Sequence, residues 1–454
     1  MNFVEIRGSH EVSFEAKLLR SSILLCKIKD DETKKQHIMK HISYRQNKNR
    51  DELFIENIAI SDLAKQVGTP FYCYSKKSII ENYRSFSDAL LGLDYKICYA
   101  IKANFNVHLV RILVGLGAGI DAVSAGEIFR GIKAGVNPKK IVFAGVGKTR
   151  EEIRYALIAC VQEFSAESEA EIFLLNQVAG ELNKKIKLSL RVNPNVDAKT
   201  HDKISTGRKG DKFGIDIDLA QGIYQKAAKL PNIEIYGIST HIGSQITSLE
   251  PFRAAFLKVR QLCLALRESG IAIESLDLGG GIGILYKDET TLLIKDYVAM
   301  IKEIIGDLNV KLTIAPGRAM IGSAGLMVAK TIYLKETDEK NFVIIDAAMN
   351  DLMRPGLYSS YHEVLPVVKK HGQQATYDLV GPVCESTDVL AKGRQLVNPK
   401  SEDLFVFCSA GAYGSSMSNE YNCRPLIPEI LVDGDKFTVI RKRPSFEDML
   451  RLEE

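Results

Sequence analysis

The sequence predicts an α/β protein: a TIM (β/α)8 barrel followed by a C-terminal β domain of sandwich or barrel type. Three observations predict it. From Lys96 onward about eight strand-like runs alternate with helical stretches, over a span near the roughly 250 residues that a barrel needs. Polar or glycine-rich residues recur where these runs end, which is the face on which a barrel carries its chemistry. From Ala319 the pattern changes to strands without long helices. A doubly wound open sheet shares the local signals, and the count of eight favours closure.

At 454 residues the chain exceeds one ordinary core, so two domains are expected. Hydrophobic residues at 46% and charged residues at 26% fit a soluble globular protein. The net charge of +4, without a basic run interleaved with aromatics, argues against nucleic acid as a partner. The eight cysteines are scattered, with no CxxC pair and no zinc-type spacing, so no metal is expected and they read as reduced cytosolic thiols. No stretch approaches the roughly 18 apolar residues of a membrane span. The run Ser22–Cys26 is too short, and too soon followed by charge, for a signal peptide.

Residues 1–38 show no clear period and Lys27–Gln36 is mostly charged, which predicts a poorly ordered extension or an upstream start. Residues 39–75 read as a segment that packs with the β domain. In it Leu53-Phe54-Ile55, Ile58–Ile60 and Phe71–Tyr74 have strand character, and Ser61-Asp62-Leu63-Ala64 resembles a capped helix start. The barrel is placed at 76–318. It opens with an amphipathic helix over Ser78–Leu91. Strands follow at 96–101, 118–123, 140–144, 162–166, 186–192, 233–241, 274–279 and 311–315. Helices between them include Ala125–Ala134, Glu151–Cys160, Leu219–Lys229, Pro251–Ser269 and Leu293–Ile305. The β domain, 319–454, has strands at Leu326–Leu334, Asn341–Asp346, Thr376–Val380, Leu404–Cys408, Glu429–Val432 and Lys436–Arg441, with turn signals such as Asp433-Gly434-Asp435 between them.

The first barrel strand, YKICYAI, runs into Lys102. A lysine at the rim of a core can be desolvated, which lowers its pKa and suits it to Schiff-base chemistry. Taken alone, the residue more commonly is a strand-end lysine whose head snorkels to water. Asp121 follows the second strand, Arg191-Val192-Asn193-Pro194 ends the fifth, and His241-Ile242-Gly243-Ser244-Gln245 ends the sixth. The seventh ends in Gly279-Gly280-Gly281-Ile282-Gly283 and the eighth in Ala315-Pro316-Gly317-Arg318. Consecutive glycines let backbone amides approach an anion, and the loops after strands seven and eight are where barrels hold phosphate. Away from that position the same glycines are an ordinary tight turn. His241 alone is ambiguous between a structural histidine and a flat ring that stacks on a cofactor. Arg318 fits a carboxylate or phosphate with its fork, or a surface salt bridge. A lysine and a phosphate cradle across one barrel mouth together suggest pyridoxal phosphate.

The motifs YAIKAN, KFGI (Lys212–Ile215), HIGSQ, LDLGGGIGI (276–284), PGR, RPGLY (354–358), CESTD (384–388) and AGAYG (410–414) closely resemble the diaminopimelate decarboxylase family over about residues 40–443. The resemblance implies a pyridoxal 5'-phosphate enzyme with an alanine-racemase-like fold, working as a head-to-tail homodimer with shared active sites. It implies that Lys102 carries the cofactor, that His241 stacks on its ring, and that Ser244 with Gly279, Gly280 and Gly281 holds the phosphate. Pro316, Gly317 and Arg318 border the same cofactor site. By the same resemblance Arg318, Arg354 and Tyr358 bind carboxylate or phosphate groups, and Tyr413 contacts cofactor and substrate. Cys384 and Glu385 reach the site from the other subunit, the cysteine as proton donor and the glutamate recognising the distal end of an amino-acid substrate. Cys384 without its motif would read as a buried thiol.

One departure stands out. The family usually has Glu-Pro-Gly-Arg at the eighth strand, its glutamate pairing with the protonated pyridine nitrogen, and this chain has Ala315 there. Arg191 cannot supply the missing negative charge. Thr387 also stands where the family more often has glycine. The expectation is a cytoplasmic decarboxylase converting meso-2,6-diaminopimelate to L-lysine and CO2, the last step of lysine biosynthesis. The alternatives are another basic amino-acid decarboxylase of this fold, acting on ornithine, lysine or carboxynorspermidine, or a non-catalytic relative, which Ala315 would favour.

Overall fold

The structure is a computed structural model that describes residues 41–198, 206–207 and 210–453. The extension expected at 1–38 lies outside the described residues. Eight parallel strands pair in sequence order and close: β1 (Tyr95–Ala100), β2 (Gly119–Ala122), β3 (Ile141–Phe143), β4 (Glu163–Ala166), β5 (Ile186–Asn193), β6 (Ile233–Ser239), β7 (Ser275–Asp277) and β8 (Lys311–Ile314). The closing pair joins Leu312 of β8 to Tyr95 of β1. The barrel read from the alternation is therefore present. Its strands are apolar because they are covered twice, by the barrel interior and by the helices outside. Ile97, Cys98 and Tyr99 are all within 2% of complete burial, so β1 offers no solvent face that would have produced alternation.

Side chains at the ends of the β–α loops start the outer helices. Ser124 accepts from the Glu127 amide ahead of Ala125–Lys133, and Thr149 forms a reciprocal capping box with Glu152 ahead of Arg150–Ile158. Capping also corrects two expected starts. Ser75 accepts from the Ser78 amide, so the first helix runs Lys76–Ala89 rather than from Ser78. Ser61 is not a cap, because its hydroxyl donates to buried Glu52 and the helix starts at Ile60.

The C-terminal part is mostly sheet. Its centre includes a strand from far earlier in the chain. Phe71–Ser75 pairs antiparallel with Gly325–Glu336 and parallel with Glu429–Asp433. All five of its residues are buried, and alternation assigns them to two cores. Tyr72 and Tyr74 pack with the barrel, while Phe71 and Cys73 pack with Leu53, Ile55, Ile60 and Leu63 on the other face. Two strands of this C-terminal part were not expected. Val389–Val397 carries Lys-Gly-Arg in its middle, with Gly393 at φ +64°, and so breaks the alternation on which strand recognition depends. Val364–Pro366 ends in a proline and pairs only with Leu404–Phe407. No helix of the described residues is long and apolar enough to cross a membrane.

Candidate active site

A cavity of about 700 Å3 opens at the C-terminal ends of the barrel strands, with the β domain forming part of its wall. Lys102 lines it from a 3-10 turn, Ile101–Ala103, immediately after β1. Of the two readings open for this lysine, desolvated or with its head reaching water, the structure has the second: Lys102 is exposed where it meets the cavity. What is buried is the scaffold beneath it. Asn104, 1% exposed, donates to the Tyr74 hydroxyl (3.0 Å) and the Gly411 carbonyl (3.1 Å), and accepts from the Asn106 amide (3.1 Å). Tyr74 in turn donates to Glu429 (2.5 Å), which also accepts from Asn106 (3.0 Å). The lysine turn is thereby bolted to the β domain. Asn104→Ala is expected to cost about 2–3 kcal/mol, because it strands two buried acceptors and one donor. A melting temperature equal to wild type would show that the network does not hold the turn.

Gly279, Gly280 and Gly281 line the same cavity, and any side chain there would collide. A Cβ on Gly279 would sit 2.4 Å from the Thr240 carbonyl, and one on Gly281 2.5 Å from that of Gly243, with φ of +67° and +110°. Two of their amides are engaged within the protein. Gly279 donates to Asp277 (2.9 Å) and Gly280 to Nδ1 of His241 (3.2 Å). Since Nδ1 accepts, the proton of a neutral His241 ring lies on Nε2. Burial, then the charges of Lys102 and Arg191, push the His241 pKa well below its ordinary value, so the ring is neutral. Two acids share the barrel mouth. Burial, then Asp121, pushes Asp277 up to about 7, and burial also raises Asp121 against the opposing pull of Lys102.

Arg318 and Arg354 converge on the same cavity, both buried. Arg318 donates to the Tyr286 hydroxyl (2.5 Å) and to Ser244 (3.3 Å), and lies 4.8 Å from the Tyr413 ring centroid. Arg354 stands 4.7 Å over the Tyr286 ring and donates to Nε2 of His362 (2.8 Å). Among the described residues neither guanidinium meets a carboxylate, and the Nε of each is buried without a partner. Two buried cations balanced only by aromatic faces and neutral acceptors suit an anionic ligand. Tyr358, Gly317 and Tyr413 also line the cavity, and the Tyr413 amide donates to the Ala103 carbonyl (2.8 Å) beside Lys102.

Pro316 is buried behind the wall and accepts from the Ala100 amide through its carbonyl (3.2 Å). Cys384 and Glu385 are exposed and form no part of this cavity's wall. Asp388 anchors their loop by accepting from the amides of Met349 (2.6 Å) and Val383 (2.8 Å), and the Thr387 hydroxyl donates to Glu385. Ala315 lines the cavity, and Arg191 is paired with Glu167 at 2.8 Å. Tyr286 and His362 escaped the sequence reading. Each lies in a loop outside any recognised motif, and the only signal available was that Tyr286 follows the glycine run.

Residues 76–322 match the family model described as pyridoxal-dependent decarboxylase, pyridoxal binding domain. A diaminopimelate decarboxylase of Vibrio cholerae is 44% identical over 91% of this chain and 99% of its own length. One from Pseudomonas aeruginosa is 46% identical over 88% and 96% respectively. The crystal structure of the Helicobacter pylori diaminopimelate decarboxylase complexed with L-lysine superposes with a TM-score of 0.84 at 39% identity, covering 87% of this chain and 99% of the other.

Proposed function

Because the chain belongs to the pyridoxal-dependent decarboxylases, we propose that it binds pyridoxal 5'-phosphate at the barrel mouth and converts meso-2,6-diaminopimelate to L-lysine and CO2 in the cytoplasm. The observation that carries the reading is one cavity shared by an exposed lysine amine and two buried guanidiniums that lack a carboxylate. The residues present fit the cofactor. Lys102 offers the amine, His241 a neutral flat ring, and Ser244 with the Gly279–Gly281 turn a close-approach wall for phosphate. Bound there, the cofactor supplies an electron sink for the pair left behind when CO2 departs.

The chain's own residues then have distinct tasks. Arg318 orients anionic groups at the wall it shares with Ser244 and Tyr413, and Arg354 with Tyr358 takes a substrate carboxylate. The carbon that loses its carboxylate must gain a proton, and Cys384 of a second copy supplies it, while Glu385 of that copy holds the distal ammonium. Exposure of Cys384 and Glu385, on a loop held rigid by Asp388, supports a head-to-tail homodimer in which that loop crosses to the partner.

Purified protein supplied with the cofactor should release L-lysine and CO2 from meso-diaminopimelate, and no turnover would refute the reading. Mixing inactive Lys102→Ala with inactive Cys384→Ala subunits is expected to restore about a quarter of the activity, since half the dimers are mixed and each holds one intact site. No recovery with subunit exchange confirmed would exclude the shared site.

A further inference from the structure

Arg354 depends on a residue that has no place in the cavity wall. His362 is completely buried, and its ring spans two partners: Nε2 meets Nη1 of Arg354 at 2.8 Å, and Nδ1 meets the Cys408 carbonyl at 2.8 Å. A guanidinium only donates and a carbonyl only accepts, so the ring has one possible state: neutral, protonated on Nδ1, with the Nε2 lone pair facing Arg354. Its edge packs against Tyr286, with centroids 5.4 Å apart at 87°, and Tyr286 carries Arg354 on its face. Its own carbonyl accepts from Arg394 (2.8 Å), which fixes the backbone from the other side.

We propose that His362 is the positioning residue for substrate carboxylate recognition, holding Arg354 in register through a neutral bridge to the Cys408 carbonyl. The proposal rests on the reading of Arg354 as a substrate-binding residue. An acid in place of His362 would pair with Arg354 and neutralise it toward substrate, whereas an imidazole fixes the guanidinium and leaves its charge uncompensated. The same carbonyl ties the arrangement to the cavity, because Cys408 leads into the Ala410–Gly414 turn that carries Tyr413. Burial, reinforced by Arg354, Arg318 and Arg394, holds the His362 pKa well below its ordinary value, against the pull of the Cys408 carbonyl. The ring therefore keeps its accepting lone pair at neutral pH.

The test is a double-mutant cycle on the cofactor-loaded enzyme, read as KM and kcat for meso-diaminopimelate. His362→Leu is expected to raise KM about tenfold with kcat within about twofold, and to leave the cofactor's absorbance band and its dissociation constant unchanged. His362→Gln, which keeps an acceptor for Arg354, should recover most of the loss. In an Arg354→Ala background His362→Leu should raise KM no further. Independent, multiplicative effects of the two substitutions would overturn the proposal, as would a wild-type KM in the loaded His362→Leu protein. A merely structural role would instead lower the melting temperature and cofactor loading and leave the KM of the loaded fraction alone. If His362→Leu does not fold, the same cycle with His362→Gln decides, on a KM rise of about two- to threefold that must vanish without Arg354. Wild-type protein that fails to turn over meso-diaminopimelate removes the functional reading and this proposal with it. Active wild type with independent effects removes only the proposal.

Discussion

Lys102→Ala is expected to abolish the visible absorbance of bound cofactor and to lower turnover by on the order of 10^4-fold or more, because removing a covalent catalyst leaves only binding and electrostatics. The residue is singular in its placement. Among the described residues it is the lysine that lines the cavity, on a short 3-10 turn whose neighbours Asn104 and Asn106 are locked to Tyr74 and Glu429. Nor can the described lysines nearest to it along the barrel stand in for it. Lys148, after β3, is buried with its amine donating to Gly145, Ser165 and Glu171, so it has no donor to spare. Lys96, further down β1, is paired with Glu163 inside the barrel. The expected protein is folded, since the scaffold does not use the Lys102 side chain, and thermal melting near the wild-type temperature would confirm that. A Lys102→Ala protein that kept both the band and turnover would place the chemistry elsewhere.

The barrel was legible because its strands are buried on both sides and therefore read as short, continuous apolar runs at regular spacing. The same double burial explains why Lys102 stood out: β1 has no polar residue after Lys96 until the strand ends. Some helix starts were misplaced by a residue or two where a side-chain cap set the boundary, as at Ser75, because the cap is a local hydrogen bond and not a periodicity. Val389–Val397 was missed for the opposite reason. Its partner strand tolerates Lys-Gly-Arg through bulges that no local pattern announces. Within the site, residues at barrel strand ends were readable from pattern, Arg354, Tyr358 and Tyr413 of the β domain only through the family resemblance, and Tyr286 and His362 by neither route. Tyr286 and His362 come from different domains, and their use arises from an edge-to-face contact between them. Lys102 shows the limit in another way, since a strand-end position left desolvation and a solvated head both open, and the open mouth exposes it.

Ala315→Glu is expected to raise kcat about tenfold or more, with a smaller effect on KM. A carboxylate facing a pyridine nitrogen favours its protonated form, by on the order of 1–3 pKa units at a desolvated site. That corresponds to roughly 1.4–4 kcal/mol, of which the transition state takes the part that grows as negative charge moves toward the ring. Ala315 lines the cavity just past the end of β8, so a longer side chain there starts from the cavity wall. Its amide donates to the Gly279 carbonyl (2.7 Å), and the Gly279 amide donates to Asp277 (2.9 Å), so the added carboxylate would join an acidic corner. Asp277 is pushed up to about 7 there by burial and then by Asp121, and a third acid nearby should push it higher. The gain therefore requires the new glutamate, and not Asp277, to hold the charge. Steady-state kinetics on meso-diaminopimelate for both proteins, with the absorbance band measured alongside, separates the cases. A higher kcat with a shifted band makes the alanine a handicap of this chain. An unchanged or lower kcat in a folded, loaded variant means that a carboxylate already present, with Asp277 the nearest candidate through Gly279, serves the ring nitrogen in its place.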